Sequence, residues 1–478
     1  MTFKPTLLAL GLLSAFQAMA ADDEIRSTLH DQQSVAVTIY NGNLALIKDQ
    51  RKVNLNTGLN ALALRDVSAQ IRPETALLRS LRGQLQTLEQ NFDYDLLSPE
   101  KLLEKYIGQT VQVIRTNPAT GAETIEPAEV LAVNNGTVLR MGNRIETGIP
   151  GRIVFPDVPE NLRDRPTLVT QLNARQAGLQ DIELSYLTSG LSWQADYVAE
   201  LSPAEDKLDL SGWVTLSNTS GTSYRDAKLQ LVAGDVNRVV TPRPSMPLAA
   251  MRKNEMMVAD AAPAMSEEAL LEYHLYSLDR PTTLAENQTK QVALLSAQSI
   301  PVRKELVLRG SNYYYQSSQG DLGQKLKVGV FVEFDNKESA KLGKPLPKGV
   351  MRVYKQDSQG NAQFVGEDRI DHTAKNETVR LKLGESFDVT ANKKQTDFKK
   401  LPNPAKGNSQ FESAYEIVLK NAKKQPATVT VVEPIPGDWR ILSQNHTSSK
   451  TSSNTASWQI AVPAEGTATL TYRVQVRY

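Results

Sequence analysis

Residues 185–201 read "SYLTSGLSWQADYVAEL", and both arms of this stretch alternate with period two. Ile182, Leu184 and Tyr186 fall on one side of the first arm; Trp193, Ala195, Tyr197, Ala199 and Leu201 fall on one side of the second. Only a strand puts every second side chain on one face. The Thr188-Ser189-Gly190 turn predicts a hairpin in which Tyr186 and Trp193 face each other across the strands. Apolar neighbours along that row assign Trp193 and Tyr197 to a core, since a sugar-stacking platform would have polar ones. Gly190-Leu191-Ser192 is not a nucleophile elbow, because Trp193-Gln194 stands where that turn needs its second glycine.

The same period runs outward in both directions. Val35, Val37 and Ile39 alternate up to Asn41-Gly42, a hairpin-turn dipeptide. Extended character continues through Leu44 to Leu55 and Leu59 to Val67. One helix is predicted, capped by Ser98, with Pro99 in its first turn and Leu102, Leu103 and Tyr106 on its apolar side. After Gly108, short strands separated by Asn-Pro, Thr-Gly, Asn-Asn-Gly and Pro-Gly turns suit a small barrel of the SH3-like kind, or a plain meander. Leu208, Leu210, Val214 and Leu216 then alternate across Gly212, followed by Leu229 and Leu231. Further strands are expected at Glu272 to Leu284, Gln291 to Leu308, Lys325 to Phe334 and Gly349 to Tyr354.

Two stretches break the pattern. Residues 239–265 mix Pro, Ala, Met and charge without period, which reads as a flexible excursion. Its five methionines lack histidine and regular spacing, so a mobile loop outweighs a copper-binding surface. Residues 391–410, rich in Lys, Asn and Pro, read as a second exposed connection. "YEIVLKNAKKQPATVTVVEPI" loosely echoes "GWVTLSNTSGTSYRDAKLQLVAG" in having a strand, an Asn at its end, a polar turn and a strand. That echo suggests two similarly built sandwich parts.

The expected fold class is therefore all-β: multi-domain β-sandwiches with a small SH3-like barrel insertion and few short helices. The expected units are a leader at 1–20, a sheet domain at 21–104 and the small barrel at 105–160. A sandwich at 161–410 and an immunoglobulin-like C-terminal sandwich at 411–478 follow.

Lys4, an apolar run from Leu7 to Phe16 and Ala18-Met19-Ala20 have the pattern of a cleaved secretory leader. Position 21 is Ala, not the cysteine that lipoprotein acylation needs, so the expected location is periplasmic or secreted. The chain has no cysteine, which excludes disulfides, thiolate zinc sites and a cysteine nucleophile. Beyond Lys4 it carries 53 basic and 53 acidic residues. That balance argues against nucleic-acid binding, which needs surplus positive charge. No apolar run after the leader approaches membrane-helix length.

Candidate chemistry is sparse. Trp213 lies with Asp209, Ser211, Thr215 and Ser217 on the polar side of its strand, where an indole stacks on a ligand or is covered by another layer. "GEDRIDH" at 366–372 is the densest polar cluster. As a strand it sets Glu367, Arg369 and Asp371 on one face and Asp368 and His372 on the other. Asp368 and His372 offer only two metal ligands, an incomplete site. Glu367 and Asp371 have a glycosidase-like carboxylate pairing, but the intervening Arg369 would keep both ionised, unlike a general acid. Trp213, Glu367, Asp368, Asp371 and His372 are thus the candidate binding residues, and no catalytic residue, metal ligand set or cofactor is assigned. His30, His274, His372 and His446 share no ligand-like spacing, and phosphate-loop, dinucleotide and H-E-x-x-H patterns are absent.

The segments "YLTSGLSWQADYVAEL", "VTLSNTSGTSYRDAKLQLVAGDVN", "GVMRVYKQDSQGNAQFVGEDRIDHTAKNETVRLKLGESFDVT" and "VPAEGTATLTYRVQVRY" together resemble the bacterial domain of unknown function 4139 family. The resemblance covers roughly Pro166 to Tyr478. The family's C-terminal part is similar to the mucoidy inhibitor A proteins, which usually carry a long coiled coil where this chain has its turn-rich segment. The resemblance implies an exported β-rich protein and brings no catalytic residues.

The expected function is a non-catalytic binding or structural role in the cell envelope, with an envelope protein or polysaccharide as partner. The alternative is a secreted glycan hydrolase whose carboxylates converge only in the fold. A third class comes from "LTYRVQVRY", whose terminal aromatic resembles the last strand of an outer-membrane barrel. The Pro-rich interruptions do not deliver the evenly sized strands such a barrel needs.

Overall fold

The computed structural model describes residues 24–134, 136–159, 162–237, 265–402 and 409–478. The expected leader at 1–20 and the excursion at 239–265, apart from Met265, lie outside these residues. Met265 itself opens a strand, Met265–Leu270.

The chain is all-β. Its one α-helix among the described residues is Pro99–Lys105, where the Ser98 side chain accepts a hydrogen bond from the Lys101 backbone N–H at 3.2 Å. Sixteen strands carry the argument that follows. They are β1 (Gln32–Tyr40), β2 (Leu44–Leu55), β3 (Gly178–Thr188), β4 (Leu191–Leu201), β5 (Lys207–Asn218), β6 (Tyr224–Ala233), β7 (Tyr273–Leu278) and β8 (Gln288–Arg309). Then come β9 (Asp321–Asp335), β10 (Gly349–Gln356), β11 (Ala362–Ile370), β12 (Thr378–Leu401), β13 (Gln410–Asn421), β14 (Ala427–Pro434), β15 (Thr455–Val462) and β16 (Gly466–Arg477).

The expected 185–201 hairpin does not form. β3 pairs with β2 and with Leu77–Ser80, whereas β4 pairs with β5 and β10, so the two arms belong to different sheets. The short connection turns a corner because other segments take its polar groups. Gly190 N–H donates to Asn43 Oδ1 at 2.7 Å, and Gly190 C=O accepts from Thr219 N–H at 2.7 Å. Gly190 has φ +84°, and a Cβ there would lie 2.6 Å from the Ser220 Cα. The core assignment holds nonetheless: Tyr186, Trp193 and Tyr197 are all buried between the sheets. Gly212 sits opposite Tyr197 in the β4–β5 register, and a side chain at Gly212 would meet that ring at 3.3 Å.

Two sandwich cores result. The first draws on residues from Val35 to Leu381, the second on residues from Leu306 to Val476. Neither matches the expected units. Residues of the 21–104 segment share the first core, because β1 pairs in parallel with β6 and β2 pairs with β3. Among the described residues no linker separates the two sandwiches either. β8 (22 residues) and β12 (24 residues) run from one core into the other, far beyond the usual strand length of roughly five or six residues. The expected connection at 391–410 is strand as far as Leu401, paired with β13.

The two sandwiches repeat one wiring. β5 lies antiparallel to β4 and β8, and β6 then crosses to pair in parallel with β1 and antiparallel with β7. Likewise β13 lies antiparallel to β12 and β16, and β14 crosses to pair in parallel with the end of β8 and antiparallel with β15. One strand, β8, therefore closes the first sandwich and opens the second.

A five-stranded antiparallel sheet stands apart, in the order Arg152–Val154, Thr110–Thr116, Glu123–Ala132, Val138–Met141, Arg144–Thr147. Its core of Val111, Val113, Ala128, Val130, Leu139 and Met141 includes Leu103 of the helix and the following Tyr106. The helix thus belongs to this unit, which begins before the expected residue 105.

Candidate functional site

The sequence-derived candidates divide into separate places. On the outer face of the first sandwich, Trp213 is half-buried and stands opposite Asp196 in the β4–β5 register. Asp196 is buried and accepts from Thr215 Oγ1 at 2.7 Å and from Arg352 Nη1 at 3.0 Å. Arg352 also reaches Glu367 Oε2 through Nε at 3.2 Å. The structure thus brings Trp213 and Glu367 into one polar row, Thr215–Asp196–Arg352–Glu367. One guanidinium serves both carboxylates of this row.

The remaining candidates do not join that row. Asp368 ties strands together: its carboxylate accepts from the Lys382 backbone N–H at 2.7 Å and from its neighbour Arg369 N–H at 2.8 Å. Asp371 is exposed beyond the end of β11. His372 accepts from the Lys348 backbone N–H at Nδ1, 3.2 Å away, which leaves the ring proton on Nε2. Burial, then the positive charge of Lys348, lowers its pKa below the ordinary imidazole value. Among the described residues, no group of three or more His, Cys, Asp or Glu side chains could hold a metal ion.

Sequence reading missed two charged clusters. One is sealed inside the second sandwich, where Lys393 Nζ lies 2.6 Å from Glu433 Oε1, with side-chain exposures of 1% and 0%. Tyr315 Oη donates to Glu433 Oε2 at 2.7 Å, and the Lys393 ammonium lies 4.4 Å from the Tyr314 ring centre. With both side chains enclosed, this cluster acts on the fold and not on a substrate.

The other cluster is open. Where the two cores meet, Leu201, Val330, Val332, Val365 and Leu383 line a cleft of about 200 Å³, with Glu205, Lys304, Lys355, Gly384 and Glu385 completing it. Its position follows from the strands that pass between cores. Along β8 the row Ile300, Val302, Lys304, Leu306, Leu308 runs from the first core to the second, with Lys304 at the junction. Along β10 the buried row Met351, Val353 ends in Lys355. Both lysines extend to Glu205 in the β4–β5 turn; Lys355 Nζ lies 2.5 Å from Oε1, and Lys304 bonds Oε2. Burial pushes the Glu205 carboxyl up, but the two ammonium groups outweigh it and hold its pKa below the ordinary carboxylate value. Lysines in otherwise apolar rows were the sequence signal for this cleft.

Residues 182–478 match the model of a family described as a domain of unknown function (DUF4139). The cleft, the Trp213 row and the buried Lys393–Glu433 pair all fall within the matched residues; the five-stranded unit precedes them. No curated protein matches the chain.

Proposed function

We propose that this chain, which belongs to the DUF4139 family, is an exported cell-envelope protein that acts by non-catalytic binding. The cleft between the two sandwiches carries this reading. Both cores contribute walls to it, it has apolar lining beneath charged groups, and it opens to solvent. Ligand sites concentrate at such junctions and combine apolar walls with a few placed polar groups. The leader-like first twenty residues support export.

Immobilised mature protein challenged with lipid, glycan and peptide fractions of the envelope tests the reading. Val365→Trp serves as the cleft-blocked control, since Val365 is 39% exposed and its replacement leaves the core alone. The reading expects a component that wild type retains unchanged and the variant loses. Equal retention by both proteins, or chemical conversion of the retained component, would overturn it.

A further inference from the structure

We infer that the cleft takes a single-chain carboxylate, with its hydrocarbon tail against Leu201, Val332 and Leu383 and its head group between Lys304 and Lys355. This rests on the binding reading above and names the ligand class of the same cleft.

The charge balance at the cleft selects an anion. Lys304 and Lys355 both address the one carboxylate of Glu205, so this group carries one positive charge in excess. Glu385 does not cancel it, because Lys327 lies 2.9 Å from Glu385 outside the lining. Each ammonium has three donors and gives one to Glu205. Donors therefore remain on both lysines for a second carboxylate, and these side chains are only 30–32% exposed, where charge-assisted bonds count for more than on an open surface.

The rest of the lining selects a hydrocarbon. Leu201 and Val332 are buried at its base, with Leu383, Val330 and Val365 around them. A volume of about 200 Å³ lies below the roughly 300 Å³ at which pockets for drug-sized ligands begin, which suits a small ligand such as one short chain. The apolar walls favour hydrocarbon over hydroxyl-bearing groups. Two residues beyond Glu385, Phe387 is 95% exposed on the same irregular part of β12. A ring that open to water, next in line to the cleft, offers apolar contact to a tail longer than the cavity.

Calorimetric titration of the full mature chain with octanoate, octanol and octyl glucoside tests the assignment, with anionic phospholipid vesicles as a fourth arm. Octanoate should bind at least tenfold more tightly than octanol. Lys355→Gln should weaken octanoate about tenfold, the worth of one charge-assisted bond, and leave octanol unchanged. Val365→Trp should abolish both, and Leu383→Phe replaces it if that variant melts early. Equal binding of octanoate and octanol, indifference to Lys355→Gln, or binding to vesicles alone would overturn the ligand class. If none of the probes binds while an envelope component is still lost on Val365→Trp, the ligand class fails and the binding reading stands. If nothing depends on Val365→Trp, both fail.

Discussion

Asn218 and Asn421 occupy the same place in the two sandwiches. Asn218 Nδ2 donates to Thr222 C=O at 2.9 Å and Leu284 C=O at 3.0 Å, and its Oδ1 accepts from Ser220 N–H at 3.1 Å. Asn421 Nδ2 donates to Gln425 C=O at 2.9 Å and Pro463 C=O at 3.0 Å, and its Oδ1 accepts from Lys423 N–H at 3.0 Å. In both cases a buried amide at a strand end closes the turn that sends the chain to the opposite sheet, and pins it to a third segment.

Replacing either amide strands buried backbone groups. Asn421→Ala should lower stability by about 1–3 kcal/mol. Asn421→Asp should cost at least as much, because an ionised carboxylate accepts from Lys423 N–H but cannot donate to the carbonyls of Gln425 and Pro463. Urea unfolding of the three proteins checks the order. A variant as stable as wild type would show that the turn needs no amide.

Strand content and the inward rows were legible because period two survives in a single sequence, and Ser98-Pro99 marked the helix in the same local way. The 185–201 connection was not legible, since a two-stranded hairpin and a corner between sheets share the same turn residues. What separates them is the distant acceptor on Asn43 and donor on Thr219. The long strand through Lys304 was expected almost to its ends, Gln291 to Leu308 against Gln288–Arg309. The far end of β12 escaped notice because Lys393 and its polar neighbours read as an exposed connection. Partners make those lysines tolerable, and Glu205 and Glu433 lie far away in the chain. For the same reason the Trp213 row could be named only in part: Trp213 and Glu367 were visible, whereas Asp196 and Arg352 gained meaning from strand pairing.

Core and face tryptophans should respond differently. Trp193→Ala removes a ring that is 6% exposed in the first core and should cost about 3–5 kcal/mol. Trp213→Ala removes a half-buried ring on the outer face and should cost about 1 kcal/mol. Thermal or urea melts rank the two, and the reverse ranking would move the core to the other side of β4 and β5.

The buried pair predicts asymmetry between breaking and replacing. Lys393→Met leaves the enclosed Glu433 carboxyl without its cation, and should cost about 3–5 kcal/mol. Lys393→Met with Glu433→Leu removes both charges and should recover most of that loss. With the single variant Glu433→Leu and wild type, these complete a double-mutant cycle read by urea unfolding, and additive costs would mean the two groups do not depend on each other.

Glu205 gives a pH-dependent prediction with a definite sign. Its pKa is lowered in the folded protein by Lys304 and Lys355, against the opposing effect of burial. A carboxyl with a depressed folded pKa contributes stability above its unfolded value and loses it as pH falls through the folded one. The advantage of wild type over Glu205→Gln should therefore be full at neutral pH and shrink below roughly pH 4. A second effect is independent of pH. Glu205 has φ +60°, a left-handed conformation that costs a side-chain-bearing residue roughly 1–2 kcal/mol and glycine little. Glu205→Gly should therefore exceed Glu205→Gln in stability at every pH, and should match or exceed wild type once Glu205 is protonated. Urea midpoints of the three proteins from pH 7 to pH 3 decide the matter. A wild-type advantage that persists in acid would mean that Glu205 holds the turn by its shape and not by its charge.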